Sequence, residues 1–257
     1  MSLQQHYIQA RDTPSDIYKH IETLAKYATD CEHITEFGVR TAVSTWGFMK
    51  GLTENLMQKK KLVSVDLDYH PNIEKVKMVA KQSGIDFTFI QGNDIKVNIE
   101  PTDLLFIDSW HVYGHLKREL ETHAHKVKKY IILHDTTVDG KYGSSLRLKT
   151  DINKEQVISG YAREEITRGL WPAVEEFLEK NKGEWMLYEK FNSNNGLTVL
   201  KRRHTFGKNE LDWMWYISSQ WELIPQGIDN KQKAIAHWIN HGRIANRYCN
   251  EDSMLTK

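Results

Sequence analysis

Acidic and imidazole side chains recur where apolar runs end. Glu36 and Gly38 close the run HITEFG. Asp66 ends LVSVD, and Gly92, Asn93 and Asp94 follow DFTFIQ. Asp108 ends DLLFID with Trp110 and His111 directly behind it, and His134 and Asp135 end YIILHD. What such a set can do depends on what approaches it. A dinucleotide needs G-x-G-x-x-G, so that its pyrophosphate rests on backbone N–H groups at a helix N-terminus. The segment EFGVRTAVST carries Gly38 but has Ala42 where a later glycine would stand. Glu36 there repels a pyrophosphate and suits a cationic or amino-bearing ligand. Asp66 can accept hydrogen bonds from a ribose diol, and Gly92-Asn93-Asp94 can hold an adenine edge. Together these residues suit an adenosine ligand without phosphates, namely S-adenosylmethionine. Taken singly, Gly38 reads as well as a tight turn, and Asp66 as a helix-capping acid.

Such residues need a frame that brings strand ends together. The spacing predicts a first helix N-capped at Thr13, with Pro14 in its first turn and Ile17, Ile21, Leu24, Ala25 and Ala28 on one face. Apolar strand-like runs then alternate with helical ones, among them PNIEKVKMVAKQSG with proline at its start and glycine at its end. Strands that are apolar throughout, separated by helices, imply a parallel sheet covered on both faces. EWMLYEKF and LTVLKR, joined by NSNNG, read as an antiparallel hairpin at one edge. The expected fold is therefore α/β, a doubly wound and mostly parallel seven-stranded sheet with an antiparallel terminal hairpin and a helical C-terminal tail. In such a sheet ligands bind beyond the carboxyl ends of the strands, near the point where strand order reverses. Residues 139–169 are polar and glycine-punctuated and read as a lid or insertion. Residues 203–257 form an extension with Trp213, Trp215, Trp221 and Trp238, one amphipathic helix near KAIAHWINHGRIANRY, and a surface for the domain or a homodimer partner.

Composition narrows the partners. The 257 residues carry 35 Lys and Arg against 34 Asp and Glu, so bulk charge gives no reason to expect nucleic acid or membrane. Cys31 and Cys249 have no C-x-x-C neighbour, which argues against a disulfide framework or a structural zinc site. No run reaches membrane-spanning length, and the N-terminal residues MSLQQHYIQARDTPSD lack a signal-peptide core, so a cytoplasmic setting is expected. MSL is given no structural weight, and His115, His123 and His125 are read as surface residues of a helix.

The motifs EFGVRTAVST, VSVDLD, QGND, DLLFIDSWHVYGHLKREL and YIILHDTT resemble those of class I S-adenosylmethionine-dependent methyltransferases, over roughly residues 33 to 201. The nearest group is the small-molecule O-methyltransferases that include macrocin-type and catechol-type enzymes. The resemblance implies a Rossmann-like methyltransferase domain over 1–202 and a cofactor site of Glu36, Gly38, Arg40, Thr41, Ser44, Asp66, Gly92, Asn93, Asp94 and Asp108. It also implies magnesium at Asp108 and Asp135, with His134 as a ligand or as support for Asp135, and His111 as the base. The chemistry is consistent, because a metal lowers the pKa of a bound hydroxyl and a histidine can take its proton. A helix cap at Asp108 and an ordinary first-turn role for His111 are the competing readings. Trp110 and Tyr113 either wall the acceptor pocket or pack the helix, and Arg147, Tyr142 and Arg168 could reach an acceptor. The expected acceptor is a small molecule or a sugar, a vicinal diol suiting a two-acid metal site best. A nicotinamide-dependent oxidoreductase and a non-catalytic methyltransferase-like binding domain are the alternatives.

Overall fold

The structure, a computed structural model, describes residues 1–55, 59–203 and 211–242, with 245, 247 and 248. The chain divides into two compact units, Met1–Arg202 and Arg203–Lys257.

The N-terminus departs from expectation. A helix α1 already runs over Leu3–Asp12, with Ser2 as its N-cap and Gln5 closing a capping box. Thr13 is not the start of a helix but the end of this one, in an extended conformation. The reason is Pro14, which disfavours helical geometry in the residue before it. The chain resumes as a short 3-10 turn, Tyr18–His20, and helix α2, Ile21–Ala28. The residues MSL are thus part of the fold, because Ser2 and Gln5 satisfy backbone donors that the first turn cannot satisfy itself.

Strands and helices then alternate. β1 (His33–Phe37) leads to α3 (Val43–Glu54), β2 (Lys61–Asp66) to α4 (Asn72–Gln82), and β3 (Asp86–Gln91) to β4 (Thr102–Ile107). Next come α5 (Tyr113–His123) and β5 (Val127–His134). Short helices α6 (Ser144–Arg147), α7 (Ile152–Ser159) and α8 (Arg163–Thr167) fill the polar segment. Helix α9 (Trp171–Lys180) and strands β6 (Trp185–Phe191) and β7 (Leu197–Arg202) complete the first unit. The seven strands lie in the order β3-β2-β1-β4-β5-β7-β6. β1 to β5 pair in parallel, while β7 runs antiparallel to β5 and β6 to β7.

Successive residues of the central strands enter opposite cores. Leu104 and Phe106 belong to the cluster with α2, α3 and α4, and Leu105 and Ile107 to the cluster with α5 and α9. That two-sided burial is why these strands read as unbroken apolar runs. Strand order reverses between β1 and β4, and there the backbones come close. A Cβ on Gly38 (φ +79) would lie 1.9 Å from the Asp108 carbonyl oxygen, so only glycine fits.

The second unit has its own small core of Tyr216, Ile217, Leu223 and Ala234, against which Trp213 and Trp238 pack. Its helices are α10 (Trp213–Ser219) and α11 (Lys231–His237), the latter continued by a π-helical turn over Trp238–Gly242. The rest of the expected amphipathic helix, and Cys249, fall largely outside the described residues. No helix among the described residues is long and apolar enough to cross a membrane.

Candidate active site

The carboxyl edge of the sheet gathers the acids and histidines singled out above. Asp108 follows β4 directly, its N–H bonded to the Phe37 carbonyl at 2.9 Å. Its Oδ1 receives two imidazoles, His111 Nε2 at 3.1 Å and His134 Nδ1 at 3.1 Å. His111 Nδ1 lies 2.7 Å from Asp135 Oδ2 and 3.2 Å from Asp139 Oδ2. His111 therefore bridges the two acids expected to hold a metal. His134 Nε2 faces the carbonyls of Asp16 and Asn194 at 3.1 and 3.3 Å.

The neighbours of the two rings just described are carboxylate and carbonyl oxygens, which favour the protonated imidazole. Burial alone would lower both pKa values, but the surrounding carboxylates outweigh it and raise them, that of His111 well above its ordinary value. Burial would likewise raise the Asp108 carboxyl, and the charges and hydrogen bonds of His134 and His111 instead hold it well below the usual range. Asp139, fully buried, accepts a two-pronged contact from Arg147, Nε at 2.7 Å and Nη2 at 2.6 Å. Asp108, Asp135 and Asp139 thus face His111, His134 and Arg147, a locally balanced cluster.

Within it, Asp135 is the strained member. Its φ is 56°, left-handed for a non-glycine residue, and its buried Oδ1 has no hydrogen-bond partner. An unsatisfied buried carboxylate oxygen beside a second carboxylate is the donor chemistry a hard divalent cation takes. Asp108 and Asp135 therefore fit the expected metal. His134 Nδ1 lies 3.1 Å from Asp108 Oδ1 and 3.5 Å from Asp135 Oδ1, and its Nε2 faces backbone carbonyls, so in this arrangement it stands as a buried support to both acids.

The expected cofactor residues occupy the ends of β1, β2, β3 and β4. Glu36 is fully buried and receives Ser44 at 2.5 Å, Thr45 at 2.9 Å and Ser64 at 2.7 Å. Burial pushes its pKa up to about 7. The Glu36 carboxylate thus faces hydroxyls within the fold, and Ser44 is one of its holders. Asp66 Oδ2 accepts the N–H groups of Val39 and Arg40 at 2.7 and 2.9 Å, and Oδ1 that of Asp68 at 3.0 Å. Since Oδ1 takes a single backbone donor, it keeps capacity for a ribose hydroxyl. Gly38, Arg40 and Ala42 all have positive φ, so the loop coils tightly around the Asp66 carboxylate. The Arg40 side chain is drawn to Asp16 at 2.6 Å. Thr41 lies on the wall of a cavity of about 670 Å³ that residues of α1, α3 and α4 also line. Gly92 donates to the Asp66 carbonyl at 2.8 Å, and the Asn93 side chain caps the Ile95 N–H at 3.0 Å. Asp94 turns to His115, with Oδ1 3.1 Å from Nε2.

Two expectations for neighbouring residues change. His115 and His123 are buried rather than on the surface, whereas His125 is exposed. Tyr113 is a packing residue, its hydroxyl donating to Glu176 at 2.7 Å with the Arg168 guanidinium 4.0 Å from its ring centre. Trp110 stacks on Tyr161 at 5.7 Å and joins a small cluster with Val112, Ile152 and Ile166. Asp139 was not singled out from the sequence. Its signal was an acid four residues beyond Asp135, within a polar stretch that gives no pattern by itself.

The sequence profile of the rhamnosyl O-methyltransferase/CmcI family matches residues 4–202 of the chain. No curated protein sequence matches it. Among solved structures, a caffeoyl-CoA O-methyltransferase from Staphylococcus aureus is similar, with 14% identity and a TM-score of 0.50 over 79% of this chain and 93% of that one. The SAH-bound Podospora anserina methyltransferase PaMTH1 shares 14% identity, with a TM-score of 0.48 over 79% and 88%. An O-methyltransferase from Bacillus cereus in complex with SAH shares 11%, with a TM-score of 0.47 over 78% and 90%. At 14% identity the likeness to the Staphylococcus aureus structure speaks for the fold alone.

Proposed function

The chain belongs to the rhamnosyl O-methyltransferase/CmcI family of S-adenosylmethionine-dependent methyltransferases, and from that premise we propose that it methylates a sugar hydroxyl with a divalent cation held by Asp108 and Asp135. One observation carries the metal reading: half-buried Asp108 and buried Asp135 face each other across His111, and the buried Asp135 Oδ1 accepts no hydrogen bond. The family's own name supports a sugar acceptor, and a vicinal diol offers two adjacent oxygens to such a pair of acids.

The carboxyl ends of β1, β2 and β3 would bind the adenosine half of the cofactor, Asp66 through the ribose and Asn93 beside the adenine. Magnesium bound at Asp108 and Asp135 would supply positive charge that lowers the acceptor hydroxyl's pKa. His111 handles the proton. Its Nδ1 is held by Asp135 and Asp139, whereas Nε2 meets Asp108 alone, so the Nε2 proton is the more labile. With that proton released to solvent, neutral His111 would accept the hydroxyl proton at Nε2. The acceptor oxygen's lone pair attacks the sulfonium methyl carbon, and the carbon–sulfur bond breaks with its electron pair passing to sulfur. A methyl ether and S-adenosylhomocysteine result. Asp139 and Arg147 hold His111 in place, and His134 holds Asp108.

Labelled S-adenosylmethionine, a panel of diol-bearing sugars and phenols, and magnesium or chelator test this. Methylated sugar is expected with magnesium and none with chelator. His111→Gln should lower kcat by at least about 100-fold, the range of a lost general base. Asp108→Asn should abolish turnover, and both variants should still bind S-adenosylhomocysteine. Turnover retained in both would refute the mechanism. Cofactor binding without product from any acceptor would favour a non-catalytic binding domain.

A further inference from the structure

We propose that Asp94, His115 and Glu119 form a second divalent-cation site, suited to a first-row transition metal such as cobalt, manganese or zinc. The proposal goes beyond the methyl-transfer reading and does not depend on it. Asp94 follows β3. His115 and Glu119 stand four residues apart on one face of α5, so both side chains reach the same place. One ligand atom from each of the three lies within 4.8 Å of the others. His115 Nε2 is 3.1 Å from Asp94 Oδ1 and 3.8 Å from Glu119 Oε1.

The cluster is built and incomplete. Glu119 is fully buried; its Oε1 accepts from Ser109 at 2.7 Å, but its buried Oε2 has no hydrogen-bond partner. A buried carboxylate oxygen left unsatisfied is costly, and such groups are ordinarily paired or bound to metal. The nearby cations face elsewhere. Arg118 pairs with Glu165 at 2.8 Å and lies 4.0 Å from the Tyr161 ring centre, and His123 Nε2 faces the Asp94 carbonyl at 2.8 Å. Two carboxylates therefore share one imidazole, and a divalent ion on a neutral His115 would balance them. The ring is oriented for that role. Its Nδ1 lies 3.2 Å from the Tyr161 hydroxyl, so an Nδ1–H donated there leaves the Nε2 lone pair directed at the acids. One nitrogen and two carboxylates favour a transition metal over magnesium, which prefers an all-oxygen shell.

Metal-stripped full-length protein, titrated with Co²⁺ under saturating Mg²⁺, tests the proposal through the visible d–d band and calorimetric stoichiometry. One equivalent of Co²⁺ is expected in the wild type and in Asp108→Asn, and affinity more than about 100-fold weaker in His115→Gln and Glu119→Gln. No Co²⁺ band in the wild type overturns the proposal. So does unchanged affinity in both variants, or loss in Asp108→Asn alone. Should a variant fail to fold, ring-nitrogen NMR of ¹⁵N-histidine wild-type protein decides. Zn²⁺ added over saturating Mg²⁺ must then move the His115 Nε2 signal, and an unmoved signal overturns the site.

Discussion

Glu36 lies on β1, beside the first glycine, with its side chain inside the fold. An acid beside the first glycine suggested a group aimed at a ligand, but its carboxylate is buried and ringed by Ser44, Thr45 and Ser64. The partners were invisible in sequence because they come from α3 and β2, and only the parallel register of β1 on β2 aligns Glu36 with Ser64. The same burial makes a prediction. Burial raises the Glu36 pKa from 4.5 to about 7. A group held above its unfolded value adds stability below the unfolded pKa and loses it as pH rises through the folded one. Glu36 should therefore favour the fold at pH 4 and cease to do so by about pH 7, a swing of up to about 3 kcal/mol at 1.36 kcal/mol per unit. Urea unfolding of wild type and Glu36→Gln across that range measures it: their stability difference should change with pH in that window. A constant difference would mean that Glu36 ionises normally. By contrast, Asp108, His111 and Asp135 were legible because an apolar run that stops on an acid names its own strand end. Asp139 was not, since it reaches His111 only through the path of the chain after β5.

At the scale of elements, the NSNNG segment was legible as a turn from composition, and its second task was not. Asn194, Asn195 and Gly196 all have positive φ, the conformation these residues tolerate best. The coil turns carbonyls outward: Asn194 toward His134, and Asn195 to the N–H groups of Thr137 and Val138 at 2.9 and 3.0 Å. The hairpin thus braces the chain that carries Asp135. A Cβ at Gly196 would lie 2.3 Å from Thr137 Oγ1 and 2.6 Å from its backbone nitrogen. Gly160, also at positive φ (+74, against +95 at Gly196), has nothing within 4 Å. Gly160→Ala should therefore cost the left-handed penalty alone, about 1–2 kcal/mol. Gly196→Ala should add an overpacking cost of about 1–3 kcal/mol. Chemical denaturation compares the two, and equal losses would show that the turn does not press on Thr137. The N-terminal helix teaches the converse. Thr13-Pro14 looked like a beginning because proline is welcome in a first helical turn, yet the residue before proline is also where a helix stops, and the Ser2–Gln5 box decided between them.

For the whole molecule, the matched family and the sheet end at the same residue. The profile reaches 202, and β7 ends at Arg202. The two cores that flank the sheet draw every member from residues up to Leu200, while the third core lies wholly within 211–238. Alternation of strand and helix made the first unit readable, because each run has to satisfy two cores at once. The second unit offers a short aromatic pattern without that constraint, and part of it lies outside the described residues. Since, among the described residues, both large cores are built within the first unit, residues 1–202 should fold alone with a single cooperative thermal transition. If the cofactor site is complete within them, S-adenosylhomocysteine at one hundred times its Kd should add about 2.7 kcal/mol to stability. For a domain of this size that corresponds to a rise of about 5–11 °C in Tm. The same rise in full-length protein and in the 1–202 fragment would place the whole cofactor site in the first unit. A fragment that folds but shows no shift would make the tail a contributor to binding. Sedimentation of the two forms separates that role from dimer formation, for which a dimer seen only with the tail present is the expected sign.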